Sequence, residues 1–376
     1  MRNIFINGIS AKSGGGKSIL TNFLSLLAKN NDGRRYYVLV PKAAEYWCDA
    51  GENISILDLP RRYSKTALYP LVNRWVIPRL VRKHKCDLIF NLADVPMPAN
   101  AKQIFLFDWS YAAFPESPVW QMMDLKSWVI RKAKLHYFKK YLQHVDLMIA
   151  QTPVMKERLE SLYDLRDVEV VPNAVSLDNL GLEETRDFRL GDGLNLLYLT
   201  YYYPHKNLEV FLPLAREIKA RKEQIRVITT IAPEQHPKAA QFLRDVKREG
   251  LDDVIHNIGP VSMKDVPSLF RQTDGLLMPT LLESFSGTYV EAMFHSKPIF
   301  TSDLPFATGV CQDAAYYFDP QDPREILEKI LQSQRDPETR NRKIVAGKRV
   351  LGGLLTWEQA FDAYRHLFGK VFAETK

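Results

Sequence analysis

The stretch that decides the fold is Pro279-Thr-Leu-Leu-Glu283-Ser-Phe-Ser-Gly287-Thr-Tyr-Val-Glu291-Ala-Met-Phe-His-Ser-Lys-Pro298. It follows a short apolar run, which predicts a strand, then a loop and a helix that opens near Gly287. A glycine at a helix start lets backbone N–H groups approach an anion, and the helix dipole favours negative charge there. The stretch therefore predicts a diphosphate on Gly287 and Thr288, with the carboxylates of Glu283 and Glu291 on either side to accept sugar hydroxyls.

Glu291 has a second interpretation. The segment Thr288-Tyr-Val-Glu291 also fits a capping box, in which Glu291 bonds the backbone at its own helix start. From the residues alone, the ligand and the cap are equally open.

Short apolar runs alternate with helical patterns on both sides of this stretch. They are apolar on both faces, as strands of a covered parallel sheet are. In the first half the predicted strands are Asn3–Asn7, Tyr36–Val40, Leu88–Asn91, Gln103–Phe107, Leu147–Ala150 and Val168–Val171. In the second half they are Leu194–Leu199, Ile225–Thr230, Val254–Ile258, Gly275–Met278 and Pro298–Thr301. A polar segment over 172–193 separates them, so we predict two doubly wound α/β domains with ligands beyond the carboxyl ends of the strands.

The composition narrows the class of protein. A chain of 376 residues exceeds what one hydrophobic core usually serves, and its 46% hydrophobic and 25% charged residues are typical of globular proteins. No apolar run approaches the roughly 20 residues that span a bilayer, and the first residues do not resemble a signal peptide. The three cysteines, Cys48, Cys86 and Cys311, are far apart, which favours reduced thiols over disulfides or a zinc site. We therefore expect a cytoplasmic protein.

The deciding stretch resembles the E-x7-E motif of retaining GT-B glycosyltransferases of family 4, which reads approximately P-S-x-x-E-G-F-G-x-x-x-x-E-A-M-x-x-G-x-P. The matching positions are Pro279, Glu283, Phe285, Glu291, Ala292, Met293 and Pro298, and serines replace the glycines at Ser284, Ser286 and Ser296. The resemblance implies that Glu291 holds the ribose of a nucleotide and that Glu283 contacts the transferred sugar. It also implies that the helix opening at Ser286, Gly287 and Thr288 meets the diphosphate, and that the base lies near Gly259 and Val261.

The same resemblance implies the architecture. A GT-B protein has two doubly wound, Rossmann-like domains that face each other across a cleft. We expect an acceptor-binding domain over 1–175, a donor-binding domain over 176–355, and a C-terminal helix over 356–376 that packs back on the first domain.

A lysine lies in the loop after the first strand of the second domain, in the sequence Leu196-Leu-Tyr-Leu-Thr-Tyr-Tyr-Tyr-Pro-His-Lys206-Asn207. Lys206 precedes a helix that Asn207 can cap, and a lysine there can neutralise phosphate as a nucleotide leaves. A solvated lysine is the alternative. The family has G-R-x-x-x-x-K-[GN] here, so Lys206 matches its diphosphate lysine, whereas Tyr201 occupies the arginine position.

A glycine-rich segment, Ser13-Gly14-Gly15-Gly16-Lys17-Ser18, joins the first strand to the first helix. It is nearly a Walker A loop, but Ala11 stands where the first glycine is required, and a P-loop NTPase or kinase using Gly14–Ser18 is the alternative function. The family places a Gly-Gly loop at this junction, which implies substrate contacts at Gly15 and Gly16. Because the P-loop hypothesis does not explain the second domain, we favour the glycosyltransferase.

The strand over Gln103–Phe107 ends in Asp108. The family commonly has His-Asp here, so Asp108 matches the aspartate and Phe107 replaces the histidine. Asp108 either acts on the acceptor hydroxyl or caps the turn, and both interpretations stay open. No Asp-x-Asp pair or His/Cys cluster has metal-ligand spacing, so we expect metal-independent chemistry with no cofactor beyond the nucleoside diphosphate sugar that serves as donor.

The positive charge is concentrated in the first half. The net charge is +7 and the pI about 9.1, with basic stretches at 61–85 and 126–140 that also carry tyrosine and tryptophan. Such stretches can bind an anionic membrane surface, and a non-catalytic nucleic-acid-binding protein is a further alternative. The resemblance favours the membrane, because many such enzymes extend lipid-linked saccharides in lipopolysaccharide, O-antigen or capsule synthesis. We therefore expect a retaining hexosyltransferase, peripheral on the inner membrane, with no nucleic-acid partner.

Overall fold

A computed structural model of the protein describes residues 2–11, 14–42, 53–59, 63, 68–174, 178–181 and 186–373. Ser13 of the glycine-rich segment, Cys48, and the basic residues Arg61, Arg62 and Lys65 lie outside the described residues. The chain forms two compact units. The first consists of Met1–Pro115, Asp124–Ala174 and Leu355–Lys376, and the second of Glu116–Met123 and Val175–Leu354.

The first unit is built on a parallel sheet of seven described strands. These are β1 (Asn3–Asn7), β2 (Arg35–Val40), β3 (Ile54–Asp58), β4 (Leu88–Asn91), β5 (Lys102–Leu106), β6 (Leu147–Ala150) and β7 (Val168–Val170). Their spatial order is β3-β2-β1-β4-β5-β6-β7, so the winding reverses between β1 and β4. The α-helices of the first unit, apart from the last one, are α1 (Gly14–Lys29), α2 (Tyr69–Leu71), α3 (Ile77–Lys83), α4 (Ser110–Ala113), α5 (Leu125–Tyr141) and α6 (Pro153–Tyr163).

The helical run from Tyr69 to Lys83 contains two prolines, Pro70 and Pro78, which we expected to interrupt any single long helix. The structure differs, because a π-helical segment over Val72–Val76 joins α2 directly to α3. In that segment the N–H of Ile77 donates to the carbonyl oxygen of Val72, five residues back. The wider turn lets the chain pass Pro78, which has no N–H to donate, without leaving the helical path.

The second unit has a parallel sheet of six described strands. These are β8 (Leu194–Tyr198), β9 (Ile225–Thr229), β10 (Ile255–Asn257), β11 (Gly275–Met278), β12 (Ile299–Ser302) and β13 (Ala315–Phe318). The order is β10-β9-β8-β11-β12-β13, with the reversal between β8 and β11. Its helices are α7 (Phe211–Arg221), α8 (Pro237–Arg248), α9 (Val266–Gln272), α10 (Gly287–Phe294), α11 (Pro305–Cys311), α12 (Pro323–Arg335) and α13 (Pro337–Gly352).

The last helix, α14 (Trp357–Ala373), belongs to the first unit and packs on α1 and the sheet. Its aromatic face meets two phenylalanines of the core. The Phe23 and Phe361 rings lie 5.1 Å apart between centroids, and Phe90 and Phe368 are equally close. Burying four aromatic rings on one another is a strong reason for the chain to return to this unit.

The boundaries of the two units differ from those of the expected domains in one segment, Glu116–Met123. We expected 1–175 to form a single domain, whereas Glu116–Met123 belongs to the second unit. The ammonium group of Lys238 in α8 donates to the carbonyl oxygen of Met122 at 3.1 Å, which ties this segment to the second unit.

The strand predictions agree with the structure to within one residue at each end. Two strands were missed, β3 and β13, and each lies at the edge of its sheet. Within the described ranges, none of the helices combines the length and the apolar character that a membrane-spanning segment needs.

Candidate functional site

The loops that carry the predicted donor residues follow neighbouring strands at a reversal of winding. Lys206 lies after β8, and Glu283 lies after β11, with the reversal between these two strands. The carboxyl ends of strands at such a point are where doubly wound sheets bind ligands. The fold alone therefore brings Lys206 and Glu283 to one place, although they are far apart in sequence.

Lys206 and Glu283 form an ion pair through the Lys206 ammonium group and one Glu283 carboxylate oxygen. Both side chains are largely buried, at 13% and 18% exposed. A solvated lysine, the alternative interpretation, would be more exposed and would lack this partner. The pair presents one positive and one negative group at the strand ends, which suits a ligand that carries both phosphate and hydroxyl groups.

Hydrogen bonds join the two loops before any ligand is present. The hydroxyl of Tyr198 donates to the carbonyl oxygen of Lys206 at 2.6 Å and lies 2.9 Å from the Thr280 hydroxyl. The N–H of Leu281 donates to the carbonyl oxygen of His205 at 2.8 Å. These bonds hold the backbone on both sides of the ion pair, so the site is preorganised.

Asn207 was expected to cap the helix that follows Lys206, and that prediction was wrong. Its backbone is left-handed, with φ 57°, and its side chain makes no capping bond within the described part of the chain. The side-chain amide instead donates to the carbonyl oxygens of Pro279 at 3.0 Å and Pro320 at 2.8 Å. Asn207 therefore fastens the loop after β8 to the beginning of the deciding stretch.

Helix α10 begins at the glycine that the sequence singled out. Ser286 precedes the helix, and among the described residues it makes no side-chain capping bond, so the first-turn N–H groups of Gly287 and Thr288 are not occupied by it. A Cβ placed on Gly287 would meet no described atom within 4 Å. The open space and the helix dipole are both suited to an anion, and the contacts of Ser286, Gly287 and Thr288 with a diphosphate stay a prediction.

Glu291 lies in the second turn of α10 and does not form the capping box. The residue that precedes the helix is Ser286 rather than Thr288, so Glu291 is two positions too far along to reach back to the helix start. Its side chain is only 9% exposed, and burial raises the pKa of its carboxyl group to about 7. The structure shows no side-chain hydrogen bond to this carboxyl group from any described residue. A buried, unpaired acid is what a ligand hydroxyl would satisfy.

Gly259 and Val261 lie in the loop after β10, as predicted from the sequence. Gly259 has φ 74°, a left-handed conformation that favours glycine, and a Cβ there would meet no described atom within 4 Å. The strand order places β10 two strands from β8, which separates this loop from Lys206 by roughly 10 Å in the sheet direction. That spacing leaves room for the part of a nucleotide beyond its phosphates.

In the first unit, the glycine-rich segment and Asp108 lie together. Gly15 and Gly16 are in the first turn of α1, which follows β1 at the other reversal of winding. A Cβ on Gly16 would lie 3.8 Å from Oδ2 of Asp108, and one on Gly15 would meet no described atom within 4 Å. Because Gly16 has no side chain, the start of α1 comes close to the Asp108 carboxyl group.

The electrostatic surroundings of Asp108 include two residues that the sequence analysis missed. The pKa of Asp108 is raised to about 7, first by burial and then by the negative charge of Asp94, while the charge of Lys134 partly offsets this. Lys134 forms an ion pair with Asp94 and lies 4.1 Å from the centroid of the Trp109 ring. The residue that precedes helix α4 is Trp109, so Asp108 does not occupy the capping position of that helix.

Asp94 could have been found by applying the strand-end rule to β4. Its loop is held by Asn91, whose side chain accepts the N–H of Ala93 at 3.0 Å and donates to the carbonyl oxygen of Val95 at 3.1 Å. Lys134 sits in the middle of α5 and gave no sequence signal. Phe107, in the family's histidine position, is fully buried with its ring centroid 5.7 Å from that of Phe138.

Two family models match consecutive parts of the chain. The Glycosyltransferase Family 4 model matches residues 13–179, and the Glycosyl transferases group 1 model matches residues 186–350. The chain belongs to the group 1, family 4 glycosyltransferases. The second match contains Lys206, Gly259, Glu283 and Glu291, and the first contains Gly15, Gly16 and Asp108.

Curated relatives agree with this membership. The chain is 24% identical over 241 residues to O-antigen chain mannosyltransferase C of Escherichia coli, which covers 61% of this chain and 62% of that protein. It is 25% identical over 234 residues to D-inositol 3-phosphate glycosyltransferase of Paenarthrobacter aurescens, covering 58% and 57%. The alignments thus span about three fifths of the length of these relatives.

Solved structures share the fold. WaaG, a glycosyltransferase involved in lipopolysaccharide biosynthesis, aligns with a TM-score of 0.69 at 13% identity over 96% of this chain and 98% of that one. Alr3699/HepE of Anabaena in complex with UDP and glucose gives 0.69 at 13% identity over 98% and 100%. The fold is therefore GT-B, with two parallel-sheet, Rossmann-like units.

Proposed function

We propose that this protein transfers a glycosyl group from a nucleoside diphosphate sugar to an acceptor hydroxyl, with retention of the anomeric configuration. Two observations carry the proposal: the Lys206–Glu283 ion pair, and the buried carboxyl group of Glu291 on α10, which has no hydrogen-bond partner among the described residues. These three groups meet the three parts of such a donor. Lys206 is for the diphosphate, Glu283 for the sugar hydroxyls, and Glu291 for the ribose.

In the proposed reaction the bond from the sugar C1 to the phosphate oxygen breaks, and a bond from C1 to the acceptor oxygen forms. The acceptor proton passes to the departing diphosphate, so atoms and charge balance without a further reactant. Lys206 and the first-turn N–H groups of α10 stabilise the negative charge that develops on the leaving group. No metal ion takes part in this proposal, because Lys206 and the helix dipole supply the positive potential.

The first unit is proposed to bind the acceptor, with Asp108 as the group that contacts its reacting hydroxyl. A carboxyl group with a pKa of about 7 can accept a hydrogen bond or a proton near neutral pH. Gly15 and Gly16 leave space beside it.

We further propose that the acceptor is a lipid-linked saccharide of a surface polysaccharide, extended at an anionic membrane. The names of two relatives, an O-antigen mannosyltransferase and a lipopolysaccharide enzyme, support the acceptor class. Helix α5 supports the membrane. Its buried side chains, Leu135, Phe138 and Tyr141, all lie in its C-terminal half. The N-terminal half carries exposed apolar residues, namely Leu125, Trp128, Val129 and Ile130.

Cations accompany these apolar residues, as they do in interfacial helices. Lys126 is exposed and Lys132 lies 5.6 Å from the Trp128 ring centroid. The π-containing helix adds a second basic, apolar surface, with Trp75 and Leu71 about half exposed and Arg74 and Arg79 exposed beside them.

Vesicle sedimentation tests the membrane proposal. The protein should sediment with vesicles that contain anionic phosphatidylglycerol, more weakly with neutral phosphatidylcholine vesicles, and less at 1 M salt, where the Debye length is about 3 Å. Changing Leu125, Val129 and Ile130 to serine should reduce sedimentation, whereas changing the exposed Val345 in α13 should not. Equal and negligible binding to both vesicle types would favour a soluble acceptor.

Release of nucleoside diphosphate tests the transfer itself. Purified protein is incubated in EDTA with UDP-glucose, UDP-galactose, UDP-N-acetylglucosamine or GDP-mannose, and with membrane extract as the acceptor source. We expect release from one donor to require the extract. A protein that releases diphosphate from none of them, but hydrolyses ATP in a Mg²⁺-dependent manner, would support the P-loop alternative instead.

A further inference from the structure

Three consecutive tyrosines lie between β8 and Lys206, and their side chains alternate. Tyr202 is 1% exposed, whereas Tyr201 is 50% and Tyr203 is 43% exposed. Tyr201 and Tyr203, which we call the tyrosine platform, are thus two large rings displayed at the carboxyl end of the strand that leads to the ion pair. Isolated exposed aromatic residues are ordinary, but two on one short loop beside a predicted site point to a ligand.

The residue between them fixes the loop. The Tyr202 hydroxyl donates to the Glu209 carboxylate, and its ring stacks on His236 at 5.2 Å between centroids and 22° between planes. Its backbone N–H donates to the Gln235 side-chain oxygen at 2.9 Å. The platform is therefore held in place without a ligand, which limits the entropy lost when something binds to it.

The platform is continuous with the donor residues. The Tyr203 ring lies parallel to the His205 ring, at 5.4 Å and 10°, and the Tyr201 ring lies 5.2 Å from that of Tyr203. The carbonyl oxygen of His205 accepts the N–H of Leu281, two residues before Glu283, and the neighbouring Lys206 pairs with Glu283, so the platform borders the loop that carries this carboxylate. An aromatic face thus lies beside a carboxylate that accepts hydroxyls.

We propose that Tyr201 and Tyr203 bind a pyranose ring, with the C–H face of the sugar on the tyrosine rings and its hydroxyl groups directed to Glu283. A pyranose has both an apolar C–H face and a hydroxyl-bearing edge, so it matches this pairing. A nucleobase could also stack, but the loop of Gly259 that suits it lies after β10, two strands from β8. The inference rests on the proposed function and adds the residues that recognise the sugar.

The pyranose can be the transferred sugar or a sugar of the acceptor, and two measurements distinguish these sources. The first is calorimetric binding of UDP, UDP-glucose, GDP and GDP-mannose. The second is saturation-transfer NMR with methyl α-mannopyranoside in the presence of the diphosphate that binds, irradiating the aromatic protons of the protein. Both are made on the wild type, on Tyr201→Ala/Tyr203→Ala, on Tyr201→Phe/Tyr203→Phe, and on Met263→Ala, an exposed apolar control in the same unit.

We expect the alanine variant to bind the free diphosphate normally and to lose roughly tenfold in affinity for the sugar nucleotide, or to lose the NMR transfer to the methyl glycoside. The first result assigns the platform to the donor sugar and the second to the acceptor. The phenylalanine variant should retain the ring and therefore the binding.

Two results would overturn the inference. One is an alanine variant with unchanged affinity for the sugar nucleotide and unchanged NMR transfer. The other is that the alanine and phenylalanine variants both bind the free diphosphate more weakly than the wild type does. That result would assign the tyrosine hydroxyls to the phosphates. A wild-type protein that binds none of the four nucleotides, and none of ADP, CDP and dTDP either, would reject the proposed function as well, and is thus a distinguishable failure.

Discussion

The two units hold their candidate residues in different ways. In the second unit, direct hydrogen bonds join the loop after β8 to the loop after β11, through Tyr198, His205 and Asn207, and an ion pair closes the junction. In the first unit, Asp108 is influenced by Asp94 and Lys134 chiefly through charge. The candidate residues of the second unit are thus held by direct bonds, whereas Asp108 in the first unit is a buried carboxyl group whose pKa depends on burial and on two neighbouring charges.

This difference follows from what each unit is proposed to bind. A nucleoside diphosphate is much the same in every donor, so a preorganised set of groups serves it well. Acceptors differ from enzyme to enzyme, and the residues that meet them differ accordingly. Phe107 is a separate departure, because the resemblance places the family histidine against the transferred sugar and the Phe107 ring is buried in the core instead.

The largest effect is expected at Lys206. Lys206→Ala should lower kcat by roughly 10²–10³, as loss of one preorganised charge-stabilising group does. Lys206→Arg retains the positive charge and should recover part of the activity. Steady-state transfer kinetics measure both variants. Equal activity of Lys206→Ala and wild type would remove the reason for treating the second unit as the site of leaving-group stabilisation.

The next effect concerns the burial of Glu291. Its pKa is about 7 in the folded protein, against 4.5 for a solvated glutamate such as that of the unfolded chain, so the folded state favours the protonated form. The contribution of Glu291 to the free energy of unfolding is therefore fully present below about pH 4.5 and is lost as pH rises through 7. The total loss is up to about 3 kcal/mol. Glu291→Gln removes this dependence, because glutamine is always neutral.

Urea unfolding of the ligand-free protein at pH 6 and pH 8 measures this directly. The wild type should lose more stability than Glu291→Gln between the two values. Parallel losses in both proteins would show that Glu291 is solvated, and the buried ribose contact would then lack its basis.

A somewhat smaller effect is expected in the first unit. Asp108→Asn should lower kcat/KM for the acceptor by about 10², the lower end for loss of an acid–base group, and leave nucleotide binding unchanged. In the wild type the rate should rise as pH increases through 7, because the ionised carboxylate is the form that accepts a hydrogen bond from the acceptor hydroxyl. A variant impaired equally in donor binding would show that the two units do not divide the substrates as proposed.

The smallest effect sharpens the assignment of Glu291. Glu291→Ala should weaken nucleoside diphosphate binding by roughly 1–3 kcal/mol, because a ribose hydroxyl loses its buried partner. Isothermal titration measures the affinity, and a circular dichroism spectrum confirms that the variant is folded. If only stability falls and affinity stays unchanged, Glu291 is a structural residue of α10.

Much of the fold was readable from the sequence because its strands are short, apolar on both faces and flanked by turns. The two missed strands lack that signature. In β3 four of five residues are partly exposed or exposed, two on each face, as at an unprotected sheet edge. In β13 two tyrosines are interior to a run of only four residues. The π segment was also unpredictable from Pro70 and Pro78, since proline normally signals a break.

The candidate donor residues could be named from the sequence because spacing and residue type together define the E-x7-E motif. Two details required the structure. Asn207 bonds to Pro279 and Pro320, both distant in sequence, and helix α10 begins at Gly287, which decides against the capping box. Lys134 illustrates the remaining limit, because only the packing of α5 brings its ammonium group to Asp94.

The most direct test of the central claim is a thermal shift of the wild type in EDTA against UDP, GDP, ADP, CDP and dTDP. The account predicts that at least one of these raises the melting temperature, since a ligand at 100 times its Kd adds about 2.7 kcal/mol of stability. Glu291→Ala should weaken that shift, and Lys17→Ala should leave it unchanged. A protein stabilised by none of them in EDTA, but by Mg²⁺-ATP in a manner that Lys17→Ala abolishes, would contradict it.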